Sequence, residues 1–505
     1  MSSPGQPHVA VIGGGIAGLA AALFLREVPC RVSVLEGSPQ LGGKLRVSEI
    51  AGVAVDEGAE ALLARRPEGT GLVTSVGLEG QLTWPGTTTA RIWSRGRMCP
   101  LPRRQVLGVP ADLAELADTG LLSSDGIARA RQDLGLPATA RDGDVPVAAF
   151  VAARFGHEVV DRLVDPLLAG VYAGRSEELS FEATLPAVAA ESRKHASLAE
   201  AADALLARGD TVPPGRYPRA PDGPGTPRRP AALPDPAGAG SPDPVPVFTT
   251  LAGGLGTLPA AVAAASGASV RTSAMVRGLD RTAAGWRLTV GSRHDEEYLT
   301  ADAVILAVPA SPAARLLAGV PGASAAVTAL REIHYASMAI VTLAYRAAAF
   351  PRPLEGSGYL VPAADGRPVK AVTFSTVKWP HLRGTGDGLH IVRCSLGRIG
   401  EESVLQFGDA ELARLAAEDL AAATGAHQAP VAARVTRWGG GLPQYTVGHL
   451  DRVTRIRSAV AGQPGLAVCG AAYDGIGIPA CVATAQAAAG QIAARLRDDR
   501  QWERG

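Results

Sequence analysis

The chain opens on Val9-Ala-Val-Ile12, a short run with no polar position, followed at once by Gly13-Gly-Gly-Ile-Ala-Gly18 and then the alanine- and leucine-rich stretch Leu19 to Arg26. An uninterrupted apolar, β-branched run predicts a strand buried on both faces, and the stretch behind the glycines has the composition of a helix. Arg31 to Leu35 predicts the next strand, ending at Glu36. Ala303 to Val308 and Gly465 to Gly470 repeat the fully apolar pattern far downstream, the second ahead of a helix predicted over Val482 to Leu496. Alternation over Ser269 to Val276 and Trp286 to Val290 predicts half-buried strands, and Met338 to Tyr345 and His390 to Leu396 also have strand character. Leu113 to Leu206 is mainly helical in pattern, with a helix expected over Ala148 to Leu168, and Ala61-Leu-Leu-Ala64 is helix-like. From Arg208 to Pro246 the pattern disappears under proline, glycine and arginine. That stretch has too little apolar surface to offset its ordering entropy and is expected to be a disordered insertion.

Composition narrows the class. At 505 residues the chain is too long for one ordinary core, and its 47% hydrophobic content suffices for two or three folded domains. A net charge of +1 gives no global attraction to nucleic acid. The five cysteines are scattered without a C-x-x-C pair, which argues against a disulfide framework or a zinc site and for a reducing cytoplasm. The apolar stretch Val9 to Leu25 carries three adjacent glycines and lacks a basic leader, so it is not read as a signal segment. No stretch reaches the roughly 18 unbroken apolar residues of a membrane span. A protein that is soluble, or at most touches a membrane surface, and holds no metal is expected.

The first chemistry lies in the glycines. Gly13 permits a tight turn, Gly15 lets the backbone approach a pyrophosphate, and Gly18 allows close packing of helix on strand. The free N–H groups of the helix start then face the phosphates. Glu36, at the end of the second strand, is placed to accept hydrogen bonds from both ribose hydroxyls, and its charge disfavours a 2′-phosphate. Flanked by strands and followed by that carboxylate, G-x-G-x-x-G reads as a dinucleotide site.

A second glycine pair with a basic residue behind it, Gly42-Gly43-Lys44-Leu-Arg46, and then Asp56-Glu-Gly58 resemble the flavoprotein amine-oxidase superfamily. At the other end of the chain, Cys469-Gly-Ala-Ala-Tyr-Asp-Gly475-Ile-Gly477-Ile478-Pro479 resembles the superfamily's turn against the flavin ring. Within that superfamily the details resemble the protoporphyrinogen and coproporphyrinogen oxidase family along nearly the whole chain. Trp438-Gly-Gly-Gly-Leu-Pro-Gln-Tyr445-Thr-Val-Gly-His449 is the most specific match. Asp165-Pro-Leu-Leu-Ala-Gly170-Val-Tyr172-Ala-Gly174, Phe248 to Pro259, Gly356 to Pro362 and Thr373 to Pro380 add to it. Two departures are Arg175, where many relatives carry an acidic residue, and the length of the insertion over 208–246.

The resemblance implies FAD as cofactor. It assigns to FAD the residues Gly13, Gly14, Gly15, Ile16, Ala17 and Gly18, then Glu36, Gly37, Gly43 and Lys44. Gly58, Ala59, Glu60 and Ala61 follow, with Val276 at the adenine and Trp438, Ile476, Gly477 and Ile478 at the flavin. Arg66, Gly170, Tyr172 and Gly174 are its substrate candidates; no dedicated catalytic acid or base is named, because the isoalloxazine carries the chemistry. His449 is read as a buried hydrogen-bonded side chain, and Cys469 and Cys481 as inert.

The fold class so implied is α/β. A discontinuous Rossmann-type FAD-binding domain is expected from residues 1–80, 248–312 and 432–498, and a mixed-sheet substrate domain from 81–110 and 313–431. A helical subdomain over 111–207 and the insertion over 208–246 complete it. The implied reaction is six-electron oxidation of a porphyrinogen by dioxygen in haem synthesis, most like the bacterial coproporphyrinogen III oxidases. A cytoplasmic location and room for a transient contact with ferrochelatase go with it. Protoporphyrinogen IX is the alternative substrate; another flavin amine oxidase, a desaturase, or a non-catalytic GDI-like binding protein are the more distant readings.

Overall fold

A five-stranded parallel sheet takes up the three fully apolar runs, in the order Ser269–Arg271, Arg31–Leu35, His8–Ile12, Ala303–Leu306, Leu466–Val468. The single strand expected over 269–276 is split, ending at Arg271 here while Val276 opens a strand of another sheet. The computed structural model describes residues 6–139, 141–208, 247–383 and 388–502; the proline-rich stretch, from residue 209 to 246, lies outside them. Every residue of His8–Ile12 is buried, because both faces are covered. Val9 and Val11 face a core shared with helices Ile16–Phe24, Leu258–Ser266 and Ile478–Trp502. Ala10 and Ile12 face the opposite layer, which contains Trp286 and Leu288 of an antiparallel three-stranded sheet and helix Ala310–Leu317. Period-two geometry thus turns one apolar strand into the centre of three layers.

A seven-stranded mixed sheet runs in the order Ala432–Pro443, Tyr335–Arg346, Leu389–Leu396, Val369–Phe374, Gly358–Leu360, Arg91–Ser94, Arg97–Pro100. Its pairings are antiparallel except between Gly358–Leu360 and Arg91–Ser94. Leu412, Ala416 and Leu420 of helix Asp409–Thr424 cover this sheet. Two elements sit across the expected boundaries. Ala432–Pro443, expected with the nucleotide-binding part, pairs with Tyr335–Arg346 as the mixed sheet's edge. Helix Ser324–Arg331, expected with the substrate part, buries Val327 and Leu330 in the core of Val304, Leu306 and Leu466.

Two local expectations change. The helix expected over 148–168 breaks at Gly156, whose φ of +89° no helical residue adopts; Val147–Phe155 ends there, and a new helical run leads to Tyr172 through a π-turn at Val160–Val164. Ala61 to Ala64 is not helical: Leu62–Leu63 pairs with Phe248 and Thr249 as a short strand. Four residues are too few to reveal a period, and Arg66, directly before Pro67, is held extended so that the helix starts only at Pro67.

Candidate functional site

The glycine turn separates positions that the fold needs from one that only a ligand needs. A Cβ on Gly13 would lie 2.6 Å from the Ala307 carbonyl oxygen, and one on Gly18 would run into the Gly13 carbonyl oxygen. A Cβ on Gly15 meets nothing within 4 Å. Gly15 is the N-cap of helix Ile16–Phe24, which has no side-chain cap and no acidic residue in its first turn. Uncapped N–H groups at a helix start favour an anion. The second glycine pair closes on this point: Gly42 N–H donates to the Gly14 carbonyl at 2.8 Å, and Gly15 and Gly42 form an isolated parallel bridge.

Glu36 faces the same turn, accepting from the amides of Gly14 at 2.6 Å and Ser38 at 2.8 Å. Val276 begins its strand nearby, linked through the Ala274 amide that donates to the Glu36 carbonyl at 2.8 Å, and Gly37 packs against Met275. Among the described residues the Lys44 ammonium has no ion pair or hydrogen bond, and burial pushes it below the usual lysine range. A half-buried cation without a carboxylate fits a pyrophosphate.

The far end of the chain supplies a second helix start. Gly475, at φ +136°, ends the turn that follows Cys469, and the amides of Ile476, Gly477 and Ile478 have no acceptor among the described residues. Helix Ile478–Trp502 begins there. Gly58 packs against the Lys44 carbonyl, with the Trp438 ring 3.1 Å from where a Cβ would lie, and Trp438 Nε1 donates to the Glu57 carbonyl at 3.1 Å. The Ala59 amide donates to the Lys44 carbonyl, and Arg46 lies over the Trp438 ring at 5.4 Å. Two anion-receptive helix starts, a half-buried lysine and an aromatic wall are what FAD's phosphates and flavin ring require, so the donor set fits that group.

Glu60 is engaged differently. Its carboxylate pairs with Lys378 at 2.7 Å and Arg393 at 2.5 Å. Burial pushes its carboxyl up, but these two cations outweigh it and hold it at about 2. Arg393 also donates to the Gly58 carbonyl at 2.6 Å, so Glu60, with Ala61 beside it, braces the cofactor segment against the mixed sheet. Sequence reasoning passed over Arg393; a charge inside the apolar strand Ile391-Val-Arg-Cys394 was the available signal. Asp56, quoted only as the start of the Asp56-Glu-Gly58 motif, was given no role of its own. Its carboxylate accepts from the amides of Leu255 at 3.0 Å and Gly256 at 2.9 Å, clamping the second glycine motif, and burial pushes it up to about 6.

The substrate candidates gather only in part. Gly170 lies exposed near the end of helix Asp165–Tyr172, where a Cβ would lie 3.3 Å from Leu360 of the mixed sheet. Tyr172 is buried, its hydroxyl has no hydrogen bond among the described residues, and burial pushes its phenol above the ordinary range. Gly174 packs directly against Gln444 Oε1. Leu167, Leu360 and Ile476 pack against the core that holds Tyr172, so helical, sheet and flavin-turn elements share one apolar wall. Arg66 is bound to Glu68, through Nε at 3.0 Å and Nη2 at 2.8 Å, and Arg175 lies 3.7 Å from Glu401. His449 is fully buried, with Nε2 2.9 Å from the Tyr473 carbonyl, and burial lowers it to about 4. Burial pushes the Cys481 thiol up to about 11 and that of Cys469 higher, which keeps both unreactive. Among the described residues no helix is long and apolar enough to cross a membrane, and no cluster could hold a metal ion.

Residues 16–493 match the family described as flavin containing amine oxidoreductase. The chain is 31% identical to the coproporphyrinogen III oxidase of Bacillus subtilis over 502 residues, covering 96% of this chain and 98% of the relative. It is 36% identical to that of Mycobacterium tuberculosis over 482 residues, covering 94% and 95%. Among solved structures, a putative protoporphyrinogen oxidase from Exiguobacterium superposes with a TM-score of 0.80 at 28% identity, covering 98% of this chain and 99% of the other. Cyclohexylamine oxidase from Brevibacterium oxydans, at 17% identity and a TM-score of 0.66 over 97% and 100%, shares the fold.

Proposed function

Because the chain belongs to the flavin-containing amine oxidoreductases, closely related to bacterial coproporphyrinogen III oxidases, we propose that it binds FAD and oxidises coproporphyrinogen III to coproporphyrin III with dioxygen as acceptor. The observation that carries this reading is the convergence of two uncapped helix starts, at Gly15 and at Gly477, with the half-buried Lys44. When bound, FAD supplies two-electron oxidation of the bridging carbons and passes the electrons to dioxygen as hydrogen peroxide, three times per porphyrin. The residues of the chain position and stabilise. Glu36 holds the ribose, Lys44 and the amides behind Gly15 hold the phosphates, and Val276 borders the adenine. The amides of Ile476 to Ile478 stabilise negative charge on the ring. Gly170, Tyr172 and Leu360 bound the macrocycle, and the apolar wall keeps water from it.

Arg66 and Arg175 are the cations proposed for the propionates. Each holds a carboxylate partner, Glu68 and Glu401, that a propionate would replace. A cytoplasmic location and a transient contact with ferrochelatase belong to the same reading. The competing substrate is protoporphyrinogen IX, which has two propionates where coproporphyrinogen III has four. Initial rates on both, freshly reduced, are followed by porphyrin fluorescence in air. The expected result is a higher kcat/KM for coproporphyrinogen III, lowered about tenfold in Arg66→Ala, the size of one charge-assisted contact. An equal or better rate on protoporphyrinogen IX, unchanged in Arg66→Ala, contradicts the substrate assignment.

A further inference from the structure

We propose that Tyr445 and His449 are positioning residues that hold the turn between Cys469 and Ile478 in the shape that presents its amides to the flavin. The proposal rests on the flavin reading above. Tyr445 uses both capacities of one hydroxyl across that turn: it donates to the Ala471 carbonyl at 2.7 Å and accepts from the Gly475 amide at 2.7 Å. His449 stacks on the Tyr445 ring, centroids 3.8 Å apart and planes 14° from parallel. Its Nε2, which donates when the imidazole is neutral with the proton on that nitrogen, meets the Tyr473 carbonyl at 2.9 Å. Residues 471, 473 and 475 of one turn are therefore held by two stacked side chains four positions apart.

The holder is itself fixed on the substrate side. The Ser180 amide donates to the Tyr445 carbonyl at 2.8 Å, Gln444 Nε2 donates to the Tyr172 carbonyl at 2.8 Å, and the rings of Tyr172 and Tyr445 lie 5.7 Å apart. Because Gly475 N–H is taken by Tyr445, the run of amides at Ile476, Gly477 and Ile478, which have no acceptor among the described residues, starts directly after the residue that Tyr445 holds. Preorganised donors stabilise developing charge without reorganising, so loosening the turn weakens stabilisation of the reduced ring more than it weakens binding of the nucleotide.

Tyr445→Phe keeps the stack and removes both hydrogen bonds. The expected result is a protein that still takes up FAD stoichiometrically, with a more negative flavin potential and kcat lowered about tenfold or more at similar KM. Amide hydrogen exchange over 470–478 is expected to be faster in the FAD-free variant than in FAD-free wild type. His449→Gln, which keeps a donor, should retain the wild-type potential, whereas His449→Leu should shift it in the same direction as Tyr445→Phe. Unchanged potential and exchange in Tyr445→Phe overturn the proposal. If that variant does not fold, equal potentials in the two His449 variants overturn it. A wild type that takes up no FAD overturns the flavin reading and this proposal together; a yellow wild type with unmoved variants overturns this proposal alone.

Discussion

Glu36 accepts the amide hydrogen of Gly14 at 2.6 Å, so the carboxylate at the end of one strand is fixed by the turn that leaves its neighbour. The Ser38 amide, at 2.8 Å, orients its other oxygen. A group oriented in advance binds a ribose with little further ordering. Glu36→Ala removes these charge-assisted contacts and, on the proposed reading, those to the ribose. FAD affinity should fall roughly ten- to a hundredfold, about 1.5–3 kcal/mol, by calorimetric titration of FAD into the stripped protein. Unchanged affinity would show that Glu36 only shapes the turn.

Gly15 and Gly18, three residues apart, should fail in different ways. Gly15 has φ −74°, open to any residue, and room for a Cβ, so Gly15→Val should melt within about 1 kcal/mol of the wild-type protein stripped of FAD and yet bind no flavin. Gly18→Val places its side chain in the Gly13 carbonyl oxygen, with Ala307 Cβ 3.1 Å from the added Cβ, and should cost about 1–3 kcal/mol or more. Thermal melts with bound-flavin absorbance separate the two. Flavin retained by Gly15→Val would place the pyrophosphate elsewhere.

Asp56 makes stability depend on pH. Burial pushes its carboxyl from 3.8 to about 6 in the folded chain, so between those values the folded state holds more protons than the unfolded one. Its contribution is then complete below the lower value and is lost as pH rises through about 6. Asp56→Asn removes that titration. Relative to wild type, the variant should gain about 3 kcal/mol between roughly pH 4 and pH 8, measured by denaturant unfolding at each pH. A constant difference across that range would place the carboxyl at its ordinary value.

The parts of the site legible in the sequence are those that a short segment determines by itself. Val9 to Ile12 must be buried on both faces, Gly13 is required by its φ of +110° and Gly18 by the Gly13 carbonyl oxygen within the same turn, and Gly475 to Ile478 announces a turn before a helix. Other features depend on partners hundreds of residues away. Glu60 meets Lys378 and Arg393 only because the mixed sheet folds over the segment after Gly58. Asp56 finds Gly256 for a similar reason. Ala61 to Ala64 reads equally well as helix or strand until Phe248 and Thr249 pair with it. The edge strand Ala432–Pro443 carries Trp438 into the site from the mixed sheet, although its motif precedes the turn at Cys469 by only one helix and one short strand. The pairing of Arg66 with Glu68, two positions apart, is local, yet the sequence offered no sign of it.

The most direct test is anaerobic. The purified protein, loaded with FAD and freed of oxygen, is mixed with coproporphyrinogen III while the flavin's visible absorption is followed. Bleaching at a rate no slower than aerobic turnover, with colour and porphyrin fluorescence returning together on admission of air, is the predicted result. A flavin that stays oxidised in the presence of excess coproporphyrinogen III, in protein shown to hold FAD, would contradict it.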